Sequence, residues 1–148
     1  QPTSISSRKN LKKVLIASDH AGFDGKEAIK KTLDEMGVQY EDVGTGSLDS
    51  VDYPDYAERV ARRVASGEAE RGILVCGSGI GMEIAANKVP GVRAALAWNE
   101  ETARLARRHN DANIVAVGAR TTTAVVLAIF GVIVINALFT FFFVLLGI

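Results

Sequence analysis

Net charge is missing from this chain. Lys plus Arg and Asp plus Glu each number 17 among 148 residues, so the formal balance is zero. That removes any general pull toward nucleic acid or an anionic membrane surface. Charge of either sign is also missing after Arg120. Cysteine is nearly absent, with Cys76 standing alone. One cysteine excludes an internal disulfide and suits a reducing, cytoplasmic compartment. Only two histidines are present, His20 and His109, and no Cys/His spacing matches a zinc site. No Ser-His-Asp order stands out. No Walker lysine follows the glycine-rich turn described below, and that turn is not the dinucleotide fingerprint. Gln1 to Asn10 is polar, with three serines and no apolar core, and is expected to be a flexible lead-in, not a signal peptide.

What is present suits one compact domain over residues 11–120. Val14 to Ala17 is a short apolar run stopped by Ser18-Asp19-His20, the pattern of a buried parallel strand with a polar loop at its carboxyl end. Gly25 to Met36 has helical spacing. Ala28, Ile29, Leu33 and Met36 fall on its apolar face, and Lys26, Glu27, Lys30 and Lys31 on the other. Val38 to Val43 reads as the second strand. Tyr53-Pro54 opens a helix that runs to Ser66-Gly67. Ile73 to Cys76, Arg93 to Trp98 and Ile114 to Val117 read as further strands. Met82 to Lys88 and Glu100 to about His109 read as helices, the latter capped by Asn99. Alternating strands and helices predict an α/β fold with a doubly wound, Rossmann-like parallel sheet in three layers. Ligands in such sheets bind at the carboxyl ends of the strands. Asp19 and His20, Cys76 to Gly81, and His109-Asn110 are all expected there.

Cys76-Gly77-Ser78-Gly79-Ile80-Gly81 is the strongest local feature. Glycines let a backbone approach a ligand, and the following helix offers N–H groups and partial positive charge to an anion. The same field favours a thiolate at Cys76. A lone cysteine at a strand end is equally a small core hydrophobe, and the residues alone leave both readings open. Asp19-His20 can orient a hydroxyl or shuttle a proton, or simply cap the following helix. His109 can serve a ligand, or cap the C-terminus of an arginine-rich helix.

Taken together, Ser18-Asp19-His20-Ala21-Gly22, Asp52-Tyr53-Pro54, the run from Cys76 to Gly81, Ala85-Ala86-Asn87-Lys88, and His109 to Asn113 with Gly118-Ala119-Arg120 behind it resemble the ribose-5-phosphate isomerase type B family. That family also includes galactose-6-phosphate isomerase subunits. The resemblance covers residues 12–120. It implies an aldose–ketose isomerase that opens a furanose 5-phosphate and moves a proton between its first two carbons through an enediolate. Cys76 would be the base; the glutamate used by another branch of the family falls where Met82 stands here, and Glu83 is one residue late. His109, helped by Ser78, would open the ring. Asp19 and Tyr53 would contact the sugar, and Asn110 would help hold it. The N–H groups of Gly77, Gly79, Ile80 and Gly81 would hold the enediolate, while His20 and Arg120 would face the phosphate. No metal or organic cofactor is implied. A homodimer is expected, with active sites between subunits.

The tail departs from that pattern. Ala124 to Ile148 is 25 residues without charge and holds five of the six phenylalanines. Residues 121–148 are expected to form an added apolar helix. About 20 such residues span a bilayer core, so a membrane contact through residues 124–148 stands beside the alternative of a buried helix. Two functional alternatives remain at this point: a membrane-tethered chain that binds a phosphosugar without turning it over, and an isomerase of a six-carbon sugar phosphate.

Overall fold

Five of the apolar runs become strands. They are β1 (Val14–Ser18), β2 (Tyr40–Gly44), β3 (Arg71–Cys76), β4 (Ala94–Leu96) and β5 (Ile114–Gly118). Between them lie α1 (Phe23–Glu35), α2 (Tyr53–Ala65), α3 (Ile80–Asn87) and α4 (Glu100–Asn110). The computed structural model describes residues 13–119. Among these residues no helix is long and apolar enough to cross a membrane. The lead of residues 1–10, Arg120 and the apolar tail all lie outside the described residues.

The sheet is parallel throughout, in the order β2-β1-β3-β5-β4. The doubly wound α/β expectation holds. Because side chains alternate across a strand, each central strand feeds two cores. Leu15, Ala17, Leu74, Cys76, Ile114 and Ala116 pack toward Ala57, Val60, Ala61 and Val64 of α2 and Met82 and Ala86 of α3. Val14, Ile16, Ile73, Val75, Val115 and Val117 pack toward Ile29 and Leu33 of α1 and Ala103 of α4. The three layers follow from this division.

The topology also creates a crevice. From β1 the chain crosses over one face to β2 on the left, and from β2 it returns over the other face to β3 on the right. The loops leaving β1 and β3 therefore part to opposite faces although the strands are neighbours. In open α/β sheets this switch point is where ligands bind.

One helix face differs from the expectation. The buried side chains of α1 are Lys26, Ile29, Thr32 and Leu33, while Ala28 is exposed. Lys26 therefore faces inward, three residues ahead of Ile29 and seven ahead of Leu33. That is the i, i+3, i+7 spacing of a helix face. Its charge concealed this on a simple apolar-versus-polar reading.

Candidate active site

Cys76 ends β3 with its side chain toward α2 and α3, and it is 4% exposed. The thiol is part of the apolar cluster on that side. It also has one polar contact: the N–H of Gly79 donates to Sγ at 3.1 Å. Gly79 is the residue before α3, with φ at +82°. A side chain there would place Cβ 2.5 Å from Leu96 Cδ1 and 2.9 Å from the Val117 carbonyl carbon, so only glycine fits both the dihedral and the space. The turn thus brings the first free N–H of a helix onto the sulfur, and the partial positive charge of the helix end lies beside it. The two readings of Cys76 meet in one side chain, buried like a core residue and hydrogen-bonded like a functional one.

The rest of the turn faces outward. Gly77, Ser78 and Ile80 are exposed. The Ile80 N–H donates to Ser78 Oγ at 3.2 Å. A Cβ on Gly81 would sit 2.9 Å from the Tyr53 ring, so Tyr53, the first residue of α2, lies against the first turn of α3. On the far side Ala119 N donates to the Cys76 carbonyl at 2.8 Å, which fastens the end of β5 to the same turn.

The loop after β1 closes the other wall of the crevice. Asp19 N donates to Val75 O at 3.2 Å. Asp19, 7% exposed, accepts the Gly22 N–H on Oδ1 at 2.8 Å. Gly22 abuts the end of β3 so closely that a Cβ would lie 2.4 Å from Val75 O. Ala21 and Gly77 face each other across the crevice, 3.7 Å from the Ala21 methyl to where a Gly77 Cβ would stand. His20 is half-buried, and its Nδ1 lies 3.2 Å from both the N and the O of Val51. The Val51 backbone offers a donor to an unprotonated Nδ1 and an acceptor to a protonated one.

Asp19, His20, Tyr53 and the run from Cys76 to Gly81 are therefore brought together at the carboxyl edge of the sheet. His109 and Asn110 are not, and this corrects the expected placement. A helix joining parallel strands runs back along the sheet, so it starts at the carboxyl edge and ends at the amino edge. α4 ends at Asn110, whose carbonyl accepts from Arg93 Nε at 2.6 Å just before β4 begins. In this 11-residue helix His109 stands about 14 Å along the axis from Glu100 at the carboxyl edge.

Two further motifs have structural work. Asn87 pairs with both the N–H and the C=O of Ala94, each at 2.9 Å, and Glu83 accepts the Leu96 N–H at 3.0 Å. These side chains occupy the outer hydrogen-bonding edge of β4. The Glu83 carboxylate is engaged there, and the position before it is Met82, a fully buried thioether. Among the described residues no three His, Cys, Asp or Glu side chains gather to hold a metal ion.

A network that the sequence reading missed lies behind the loop after β1. Lys26 Nζ donates to both carboxylate oxygens of Asp42 at 2.7 Å and to Thr45 O at 2.6 Å. Lys30 joins it at 2.7 Å. Burial alone would push the Asp42 carboxyl up; the hydrogen bonds from Lys26 and Lys30 outweigh it and hold the group below its usual range.

Comparison with known proteins agrees with this fold. The profile of the Ribose/Galactose Isomerase family matches residues 14–131, running past residue 120 into the apolar tail. Ribose-5-phosphate isomerase B of Escherichia coli is 47% identical over 110 residues, 74% of each chain. Among solved structures, the type B ribose 5-phosphate isomerase of Trypanosoma brucei is 57% identical with a TM-score of 0.73, covering 80% of both chains. A ribose 5-phosphate isomerase of Thermotoga maritima is 48% identical with a TM-score of 0.77, covering 82% of this chain and 87% of that one. Five parallel strands in a Rossmann-like sheet, a glycine turn capping a buried thiol, and matches of this extent agree: the chain belongs to the Ribose/Galactose Isomerase family.

Proposed function

We propose that this protein interconverts ribose 5-phosphate and ribulose 5-phosphate, with Cys76 as the base. The observation that carries the reading is the Gly79 N–H held on Sγ at the start of α3, beside Tyr53, Asp19 and His20. The family and the relatives named ribose-5-phosphate isomerase supply the substrate. In the open-chain aldose, the Cys76 thiolate takes the proton from C2. The resulting enediolate carries its negative charge on O1, which the N–H groups of Gly77 and Gly81 stabilise electrostatically, those of Gly79 and Ile80 being engaged by Cys76 Sγ and Ser78 Oγ. Return of the proton to C1, with transfer of the hydroxyl proton from O2 to O1, gives the ketose. Asp19 and Tyr53 orient the sugar hydroxyls, and His20 and Arg120 bind the phosphate.

Ring opening is assigned to His109 with Ser78, and Asn110 helps to hold the substrate. Within one chain these residues lie at opposite edges of the sheet, so the reading requires a homodimer in which His109 and Asn110 come from the partner subunit. Exposed apolar side chains support such an interface: Ile80 and Ile84, one turn apart on α3, and Trp98 before α4 are each at least half exposed. Isolated apolar residues are ordinary on a surface, but Ile80 here directly follows the glycine turn.

Conversion of ribose 5-phosphate to ribulose 5-phosphate by the purified full chain tests the proposal. Cys76→Ala is expected to lower kcat about a thousandfold, in the range of a lost general base, while the variant still binds substrate. A Cys76→Ala protein that turns over at the wild-type rate would contradict it.

A further inference from the structure

Lys26 is 1% exposed, and no other lysine among the described residues is buried to that degree. An ammonium taken out of water is strongly disfavoured unless its donors are used. Here its hydrogen bonds go to the end of β2 and the residue beyond it, Asp42 and the Thr45 carbonyl, and Glu27 lies farther off at 3.7 Å. The Phe23 ring covers the ammonium, with its centroid 5.4 Å away. Thr45 N in turn donates to Ser18 O at 2.9 Å, one residue ahead of Asp19. The entrance of the segment joining β2 to α2 is thus nailed to the end of β1 and to α1.

The exit of that segment touches the candidate site twice. Val51 meets His20 Nδ1, and Tyr53 lies on the glycine turn. Between entrance and exit the chain is held only lightly. Ser47 and Asp49 bond to each other, and Leu48 is 63% exposed. Only residues 46–50 separate Thr45 from Val51, so a fixed Thr45 end limits where the Val51 backbone can stand.

We propose that Lys26 is a positioning residue for phosphate recognition. By fixing the Thr45 end of the segment it holds the Val51 N–H on His20 Nδ1. The ring then keeps its proton on Nε2, at the opposite side, as the donor toward the phosphate. The phosphate role of His20 rests on the function proposed above; the hold of Lys26 on the His20 ring does not. Lys26 touches neither substrate nor the reacting carbons, so it acts on binding and not on proton transfer.

The test is Lys26→Met, which keeps length and apolar stem, with Asp42→Asn measured in parallel as the milder variant that retains an acceptor. For Lys26→Met, KM for ribose 5-phosphate is expected to rise about tenfold with kcat within about twofold, the signature of lost ground-state positioning. In a His20→Asn background the same substitution is expected to add little, because coupled residues are not additive. Nitrogen-15 NMR of the ligand-free protein is the second readout. In the wild type His20 Nδ1 is expected to report as unprotonated and Nε2 as protonated, and either variant shifts the ring toward a mixture. A folded Lys26→Met or Asp42→Asn protein with wild-type KM and unchanged His20 nitrogen shifts overturns the proposal, leaving Lys26 a merely stabilising ion pair. If the wild type does not act on ribose 5-phosphate, the KM arm falls with the proposed function, and the nitrogen shifts alone decide whether Lys26 positions His20.

Discussion

The two edges of the sheet are built differently. At the carboxyl edge, glycines let backbones close on each other. Gly22 lies against the end of β3, Gly79 against Leu96 and Val117, and Gly81 against Tyr53. Reactive side chains are pinned there by short local bonds, Asp19 to Gly22 and Cys76 to Gly79. At the amino edge the contacts join side chain to backbone and acid to base: Arg93 to Asn110, Asn113 to Arg93 and Gly91, Arg63 to Glu41. His109 is exposed in that second setting. On the proposed function the first edge faces the ligand and the second is mainly structural, and His109 would reach the crevice only from a second copy.

That contrast can be broken from either side. Removing His109 tests whether the amino edge takes part in the chemistry at all. His109→Asn is expected to lower turnover of cyclic ribose 5-phosphate about a hundredfold, the lower end of a lost acid–base group, and to affect an open-chain substrate less. Equal losses on cyclic and open-chain substrates would remove His109 from ring opening.

A smaller effect is expected where the amino edge is purely structural. Hydrogen bonds from Arg63, then from Lys13, hold the Glu41 carboxyl at about 2, against its ordinary 4.5. Because the folded value is depressed, the stabilisation is complete above pH 4.5 and is lost as pH falls toward 2. Glu41 is 35% exposed and Arg63 24%, so solvent screening keeps the pair under about 1 kcal/mol. Arg63→Ala is therefore expected to leave kcat and KM unchanged and to lower thermal stability slightly at neutral pH. The gap to wild type should close below about pH 2. A loss of activity in this variant would erase the proposed division of labour between the edges.

Much of this was legible from residue order alone. The alternation of apolar runs and amphipathic stretches marks all nine elements near their observed bounds, because each pattern reports only on its own segment. Cys76 to Gly81 was legible for the same reason: a strand end, a left-handed glycine and a helix start are local features. The misplacement of His109 arose differently. Its position at the end of a helix that precedes a parallel strand already implied the amino edge, but the carboxyl-end rule was applied to it without following the direction of the helix. Lys26 shows another limit. Its spacing relative to Ile29 and Leu33 put it inward, yet a lysine is buried only if distant partners meet it, and Asp42 and Thr45 are brought to it by the pairing of β1 with β2. Glu83 and Asn87 likewise act on β4 through pairing that local sequence does not encode.

A mixing experiment tests the shared site most directly. Cys76→Ala and His109→Asn proteins, each inactive alone, are unfolded together, refolded and assayed on ribose 5-phosphate. In a mixed dimer one of the two sites combines an intact Cys76 with an intact His109 of the partner subunit. Random pairing makes half of the dimers mixed, so recovery of about a quarter of wild-type activity is expected for a two-fold assembly. Activity no higher than that of the separate variants, with mixed dimers present, would contradict a site built from two copies.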